Sequence, residues 1–179
     1  MPIENERKFV LRDDGLLEAR LAALPNVERS LLRQAYLDVS GLRIRLVDGK
    51  GGPRHIFTFK RLIDGQVVEI ETEISPADFK RLWTQRRVTL QKMRYSWQDG
   101  AFHWDVDFFK GDDGQTYFAQ AEVEMPEEHD TPPPLPECLA SHLLGMAPFG
   151  DERFTSKRLA DRAHAERLLA QIRHKGGIE

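Results

Sequence analysis

The chain has 179 residues, 40% of them hydrophobic and 31% charged, with a formal net charge of −3. That length supports one domain, 1–179, with a real core, and the composition excludes a disordered chain. The near-neutral balance excludes a globally basic nucleic-acid binder and a surface drawn to acidic membranes, so any anion site must come from local clusters of Lys and Arg.

Cys138 is the single cysteine, which leaves no disulfide framework and no cysteine-based zinc site. No apolar run approaches a membrane span and no secretory h-region stands at the N-terminus. The expected location is cytoplasmic, with neither membrane nor nucleic acid as partner.

Ile3 to Leu11 is predicted as a first strand, and alternation puts Glu4, Glu6 and Lys8 on one face. Asp13 and Asp14 are placed to cap a short helix with Leu16, Leu17, Leu21 and Leu24 as its apolar side. Val27 to Leu37 reads as a strand ending in Gln34-Ala35-Tyr36-Leu37. Leu42 to Val47 alternates, with Leu42, Ile44 and Leu46 opposite Arg43 and Arg45. Asp48 to Pro53 is a loop, and His55 to Arg61 is the next strand, with Lys60 near its end. Asp64-Gly65 marks a hairpin, after which Val67 to Ile74 sets Glu69, Glu71 and Glu73 opposite Val68, Ile70 and Ile74.

Ser75-Pro76-Ala77-Asp78 starts a helix that runs to Gln85 and buries Phe79, Leu82 and Trp83. Val88 to Trp97 is a strand carrying Lys92 and Arg94. Asp99-Gly100 turns the chain into Phe102 to Phe109, with His103, Asp105 and Asp107 in phase. Asp112-Asp113-Gly114 turns it again into Thr116 to Met125, where Glu122 and Glu124 oppose Ala121, Val123 and Met125. Pro126 to Pro136 is a polar, Pro-rich loop. Leu135 to Leu144 is expected as a short helix stopped by Gly145, and a last helix capped by Ser156 runs to His174, ending at Gly176-Gly177. The expected fold is α+β, an eight-stranded antiparallel closed barrel with flanking helices, since tight hairpins make antiparallel neighbours and about eight strands can close.

The charges carry the functional argument. Acids recur with acids and bases with bases at strand spacing: Glu4/Glu6, Arg43/Arg45, Glu69/Glu71, Lys92/Arg94 and Glu122/Glu124. Glu73 and Asp107 are in phase with such pairs but read as solvated. Like charges set directly across a sheet repel, so bound ions would separate them. Carboxylate pairs suit hard divalent cations such as Mg²⁺ or Mn²⁺, and Lys/Arg pairs suit a polyanion. A charge-lined lumen is costly unless water or a ligand fills it. A triphosphate with its cations meets both demands.

The ordered set resembles the CYTH superfamily, also called triphosphate tunnel metalloenzymes, and within it the bacterial inorganic triphosphatase branch. Glu4-x-Glu6-x-Lys8 is similar to its ExExK hallmark, and the likeness continues through Gln34-Ala35-Tyr36-Leu37, Arg43-x-Arg45, Phe57-Thr58-Phe59-Lys60, Glu69-x-Glu71, Lys92-x-Arg94, Asp105 and Glu122-x-Glu124. His103 stands where many relatives carry an acid, and Asp161 where many carry Asn.

The resemblance implies a tunnel enzyme acting on triphosphates with divalent metal, two ions per site. Arg43, Arg45, Lys60, Lys92 and Arg94 would bind the phosphates, and Glu4, Glu6, Glu69, Glu71, Asp105, Glu122 and Glu124 would hold metal. Lys8 and Tyr36 are the candidate catalytic groups; Lys8 either contacts phosphate or pairs with neighbouring Glu, and Tyr36 either faces the lumen or is a buried tyrosine with one hydrogen bond. The leading activity is hydrolysis of inorganic triphosphate or a similar small triphosphate. The alternatives are a class IV adenylate cyclase, a thiamine triphosphatase and a non-catalytic binder of polyphosphate or nucleotides. A homodimer is compatible with the chain, and no sequence feature decides it.

Overall fold

Alternation of apolar and charged side chains makes strands, and short turns make sequential strands antiparallel neighbours. In the computed structural model, which describes residues 5–64 and 66–174, both expectations hold. The strands are β1 (Glu6–Leu11), β2 (Glu28–Leu37), β3 (Leu42–Gly49), β4 (Gly52–Ile63), β5 (Gln66–Glu73), β6 (Arg86–Asp99), β7 (Phe102–Lys110), β8 (Thr116–Glu124) and β9 (Leu143–Met146). They form one sheet in the order β5-β4-β3-β2-β6-β7-β8-β1-β9, with every neighbour antiparallel. Hairpins join β2 through β5 and β6 through β8; the β2–β6 and β1–β8 ladders bring distant segments together.

The sheet is open, which corrects the expected eight-stranded closed barrel. Closing the ring would require β5 to pair with the free edge of β1. That edge is occupied by β9, which pairs Phe9 with Met146 and Val10 with Gly145. The segment expected as one helix over Leu135 to Leu144 is instead a single turn, α3 (Glu137–Ala140), followed by β9. Pairing with β1 overrides the local preference of so short an apolar run.

The remaining helices are α1 (Leu17–Ala22), α2 (Pro76–Trp83), α4 (Ser156–Leu159) and α5 (Arg162–His174). Asp14 Oδ1 accepts the N–H groups of Leu16 and Leu17, both at 2.8 Å, at the start of α1. Leu17 and Leu21 are buried, whereas Leu16 and Leu24 face solvent. Ser75 Oγ accepts the Asp78 N–H at 3.0 Å, as the sequence predicts for α2. Phe79, Leu82 and Trp83 are only half-buried there. Thr155, not Ser156, caps α4. The expected single C-terminal helix breaks after it, and Asp161 Oδ1 restarts the chain as α5 by accepting the His164 N–H at 3.1 Å. Ile3, Glu4, Gly65, Gly176 and Gly177 lie outside the described residues.

Two apolar cores lie on opposite faces of the β6-β7-β8-β1 half of the sheet. On one face Phe9, Leu11, Tyr95, Trp104, Phe108 and Val123 pack against Leu17 and Leu21 of α1 and Leu139 of α3. Trp97 and Trp104 stack there at 6.2 Å between ring centroids. On the other face Val10, Leu90, Phe109 and Phe118 pack against Phe154, Leu159, Ala165, Leu168 and Ile172. Further along these strands, on the same face, stand the charges Lys8, Lys92, Asp107 and Glu122.

Candidate functional site

Strand pleating turns Glu6 and Lys8, Gln34 and Tyr36, Arg43 and Arg45, Lys60, Glu69 and Glu71, Lys92 and Arg94, Asp105, Glu122 and Glu124 to one face. The sheet curls so that all of them line a single cavity of about 1460 Å³. Every site residue predicted from the sequence is therefore brought together except Glu4, which lies outside the described residues.

The pairing order decides how these charges meet. Lys60 is the direct cross-strand partner of Glu69, Arg94 of Asp107, and Lys8 of Glu122. At these three positions a base thus faces an acid across the sheet, and internal ion pairs do part of the neutralising expected of bound ions. Arg43 Nη2 reaches Glu69 at 3.2 Å, Lys60 Nζ reaches Glu69 at 3.5 Å, and Arg45 bonds to Glu71. Arg43 and Arg45 nonetheless keep buried Nε–H donors that make no hydrogen bond. Arg45 is pulled down to about 10, by burial first and then by the neighbouring Arg43. Two guanidinium groups with spare buried donors are a cradle for anionic oxygen.

On β6 the cations are held more rigidly. Arg94 donates through Nε to Asp107 Oδ1 and through Nη2 to Asp107 Oδ2, both at 2.7 Å, and also bonds to Asp105. Lys92 Nζ meets Asp107 at 2.5 Å and Ser156 Oγ at 3.4 Å. Burial and the adjacent Arg94 push the Lys92 ammonium below its ordinary range. Burial alone would raise the Asp107 carboxyl, but Arg94 and Lys92 outweigh it and hold that carboxyl well below the usual range.

The acids gather on β7, β8 and β1. Glu6 is the direct partner of Glu124, and Asp105 of Glu122. Lys8 relieves this acidic strip, reaching Glu6 at 2.9 Å and Glu122 at 3.0 Å. Burial works against a charged Lys8, yet these two carboxylates raise its pKa above the ordinary value. Glu122 also accepts from Gln120 at 2.8 Å. Asp105 accepts from Ser96 at 2.5 Å and faces His103 Nε2 at 3.3 Å. The Asp105 carboxyl is lowered although burial opposes it, because His103 and Arg94 favour the anion. The Tyr36 hydroxyl accepts from Gln34 Nε2 at 2.7 Å, and burial raises its pKa. Tyr36 thus lines the cavity and is hydrogen-bonded through its hydroxyl.

These donors are all oxygen, the chemistry a hard divalent cation takes. Among the described residues no three His, Cys, Asp or Glu side chains converge on one point.

Sequence reasoning does not single out several residues that line the cavity or lie buried beneath it. Asp107, expected to be solvated, is fully buried beneath Lys92 and Arg94; its in-phase position after Asp105 was the available signal. Gln34 and Gln120 are buried too, each in phase with an assigned neighbour. Lys157, Arg158 and Arg167 line the cavity from α4 and α5. Their helical charge pattern mixes acids and bases, so nothing local marks them.

The fold and cavity define a class: an α+β protein whose curled antiparallel sheet gathers opposed charges around a polyanion-sized space. No family model matches the chain, and no curated protein matches it. Among solved structures it is similar to the hypothetical protein NE1496, at 26% identity over 88% of this chain and 97% of that one, with a TM-score of 0.50. It is also similar to the PH1012 protein from Pyrococcus horikoshii OT3, at 15% identity over 71% of this chain and 80% of that one, TM-score 0.46. A "putative adenylate cyclase" from Bacillus halodurans matches at 16% identity over 68% and 80% of the respective chains, TM-score 0.42. The first of these has no stated activity, and the other two are too distant in shape to carry a functional conclusion.

Proposed function

We propose that the protein is a CYTH-type enzyme that hydrolyses inorganic triphosphate, or another small triphosphate, with the help of divalent metal. The observation that supports this reading is the convergence of Arg43, Arg45, Lys60, Lys92 and Arg94 on one cavity, with buried Nε–H donors on Arg43 and Arg45 that make no hydrogen bond. Five cations at this density suit a ligand of several negative charges in a row. The curled face serves as the tunnel wall, and the reading does not require the hydrogen-bonded ladder to close.

Arg43, Arg45 and Lys60 would exchange Glu69 and Glu71 for phosphate oxygens. Arg94 and Lys92, fixed by Asp107, would present donors that need no rearrangement on binding, which favours electrostatic stabilisation of the transferring phosphoryl group. Lys8 is kept protonated by Glu6 and Glu122, so it acts as a cation and not as a general base. Tyr36 accepts from Gln34 and keeps its own O–H free to donate toward a phosphate oxygen. Mg²⁺ or Mn²⁺, two per site, would be held by Glu4, Glu6, Glu122 and Glu124 and by Asp105 with Glu69 and Glu71, and when bound would neutralise phosphate charge and acidify a water.

The test is a substrate panel with Mg²⁺ and with Mn²⁺: tripolyphosphate, ATP and thiamine triphosphate, with products resolved. Release of phosphate from tripolyphosphate is expected. Cyclic nucleotide with pyrophosphate would instead establish a cyclase, preference for thiamine triphosphate would move the assignment to that ester, and binding without turnover would leave a polyphosphate-binding module.

A further inference from the structure

Among the described residues His103 is the one histidine on β1, β7 or β8, the strands that carry the cavity's acidic strip. Its direct partner across the sheet is Glu124, whose own partner on β1 is Glu6. Along β7 it is in phase with Asp105, two residues further on. The row His103-Glu124-Glu6 thus runs beside the row Asp105-Glu122-Lys8.

The way the His103 ring is held gives it a chemical role. Gln98 on β6 is its other cross-strand partner. Gln98 Nε2 donates to the Gly100 carbonyl at 3.0 Å, which turns Gln98 Oε1 toward His103 Nδ1 at 3.3 Å. A carboxamide oxygen only accepts, so Nδ1 carries a hydrogen. In the neutral ring Nε2 then presents its lone pair. Nε2 lies 3.3 Å from Asp105 Oδ1, which also offers lone pairs. Two such atoms at that distance need something electropositive between them. Metal bonds of about 2.0–2.2 Å set neighbouring ligand atoms roughly 3–3.5 Å apart, so the pair has the bite of a chelate. The Gln98 contact is the kind of outer support that fixes the ring and tautomer of a ligating histidine. Asp105 is steadied as well: Ser96 Oγ donates to Oδ1 at 2.5 Å, and Arg94 bonds to Oδ2.

We propose that His103 is a nitrogen ligand to the metal held by Asp105 and Glu124, and that it biases this position toward nitrogen-accepting transition ions over Mg²⁺. Carboxylates alone take hard ions, whereas an imidazole nitrogen favours the later first-row divalent metals. Glu124, which lines the cavity opposite His103, completes the protein's share of the ligands, and water or phosphate oxygen supplies the rest. The proposal rests on the metal-assisted reading of the cavity and is independent of which triphosphate is used.

The full-length, untagged protein would be saturated with Mn²⁺ and read by pulsed EPR, which detects a nitrogen nucleus bound directly to the ion. Nitrogen modulation is expected in wild type and should be lost in His103→Gln. Calorimetry gives a second readout. His103→Asp, which exchanges nitrogen for oxygen, should weaken Co²⁺ binding about tenfold or more while leaving Mg²⁺ binding unchanged. Gln98→Leu keeps the imidazole but removes its support, and should weaken Co²⁺ about tenfold, the scale of a lost outer partner. Mn²⁺ bound without nitrogen modulation in wild type, or with modulation that survives in His103→Gln, would overturn the role of His103 and leave the acids as the metal's holders. Equal losses of Co²⁺ and Mg²⁺ affinity in His103→Asp would overturn the selectivity. If wild type binds none of the three ions, the metal-assisted reading fails and His103 fails with it.

Discussion

Asp107 receives both the Nε and the Nη2 donors of Arg94 at 2.7 Å, in the forked geometry of a guanidinium on a carboxylate. It is the only fully buried acid among the described residues, and Lys92 shares it. Removing one partner from such a cluster strands the others. Asp107→Asn is expected to lower stability by about 3–5 kcal/mol, because Lys92 and Arg94 lose their buried counter-charge. Urea titration against wild type measures this; a change within experimental error would show that the cluster is not a structural keystone. The pH dependence follows from the sign of the shift. Asp107 is depressed in the folded state, so its contribution is complete above the unfolded carboxyl pKa of about 4 and is lost as pH falls toward the lower folded value. Wild type should therefore lose stability below about pH 4 more steeply than Asp107→Asn.

Arg45 stands in a different position. Its ion pair to Glu71 is on the cavity side, where Glu71 remains accessible to water. Arg45→Ala should leave the unfolding midpoint nearly unchanged, because a half-exposed pair contributes only about 0–1 kcal/mol. Its effect on tripolyphosphate turnover should be large, about a hundredfold or more, if the unbonded Nε donor faces the transferring phosphate. Phosphate release under saturating Mg²⁺ measures it. Loss of stability without loss of rate would reverse the assignment and make Arg45 a structural residue.

The spacing Arg43-x-Arg45 or Glu122-x-Glu124 was enough to place both side chains on one face, because strand periodicity is local. Which strand lies across is not local. The chain shows acids beside acids, and only the ladders reveal that Lys60 faces Glu69, Arg94 faces Asp107 and Lys8 faces Glu122, while Glu6 still faces Glu124 and Asp105 faces Glu122. Asp107 shows the same limit: phase assigns a face, but burial depends on what packs above it. The closed barrel failed on the short segment Leu143–Met146, whose partner is β1, far away in sequence. Lys157, Arg158 and Arg167 reach the cavity only because Val10, Leu90, Phe109 and Phe118 seat α4 and α5 on the same face as the charges. That apolar seat is invisible until the strands are assembled.

Glu6 and Glu124 face each other directly, with like charge and without a full set of cationic partners. A divalent cation between them would relieve this repulsion. Glu6→Gln should raise the Mg²⁺ concentration needed for half-maximal binding about tenfold or more and cut turnover correspondingly. Calorimetric titration of Mg²⁺ in the presence of a non-hydrolysable triphosphate analogue separates the two effects. Unaltered Mg²⁺ affinity would remove Glu6 from the metal set.

Lys8 offers a sharper discrimination, because its ammonium touches Glu6 and Glu122 at once. If its role is to hold those carboxylates, it competes with a divalent cation for the same oxygens. Lys8→Met keeps the length of the side chain and removes the competitor. Mg²⁺ affinity should then rise, by about fivefold if the partly exposed pair contributes near the upper end of its usual range. A Lys8 that contacts phosphate predicts the opposite pattern: weaker tripolyphosphate binding with Mg²⁺ affinity unchanged. The distances favour the first outcome, since both bonds of Lys8 run to acids on β1 and β8. Measuring Mg²⁺ alone and then tripolyphosphate with Mg²⁺ in the same variant distinguishes the two roles.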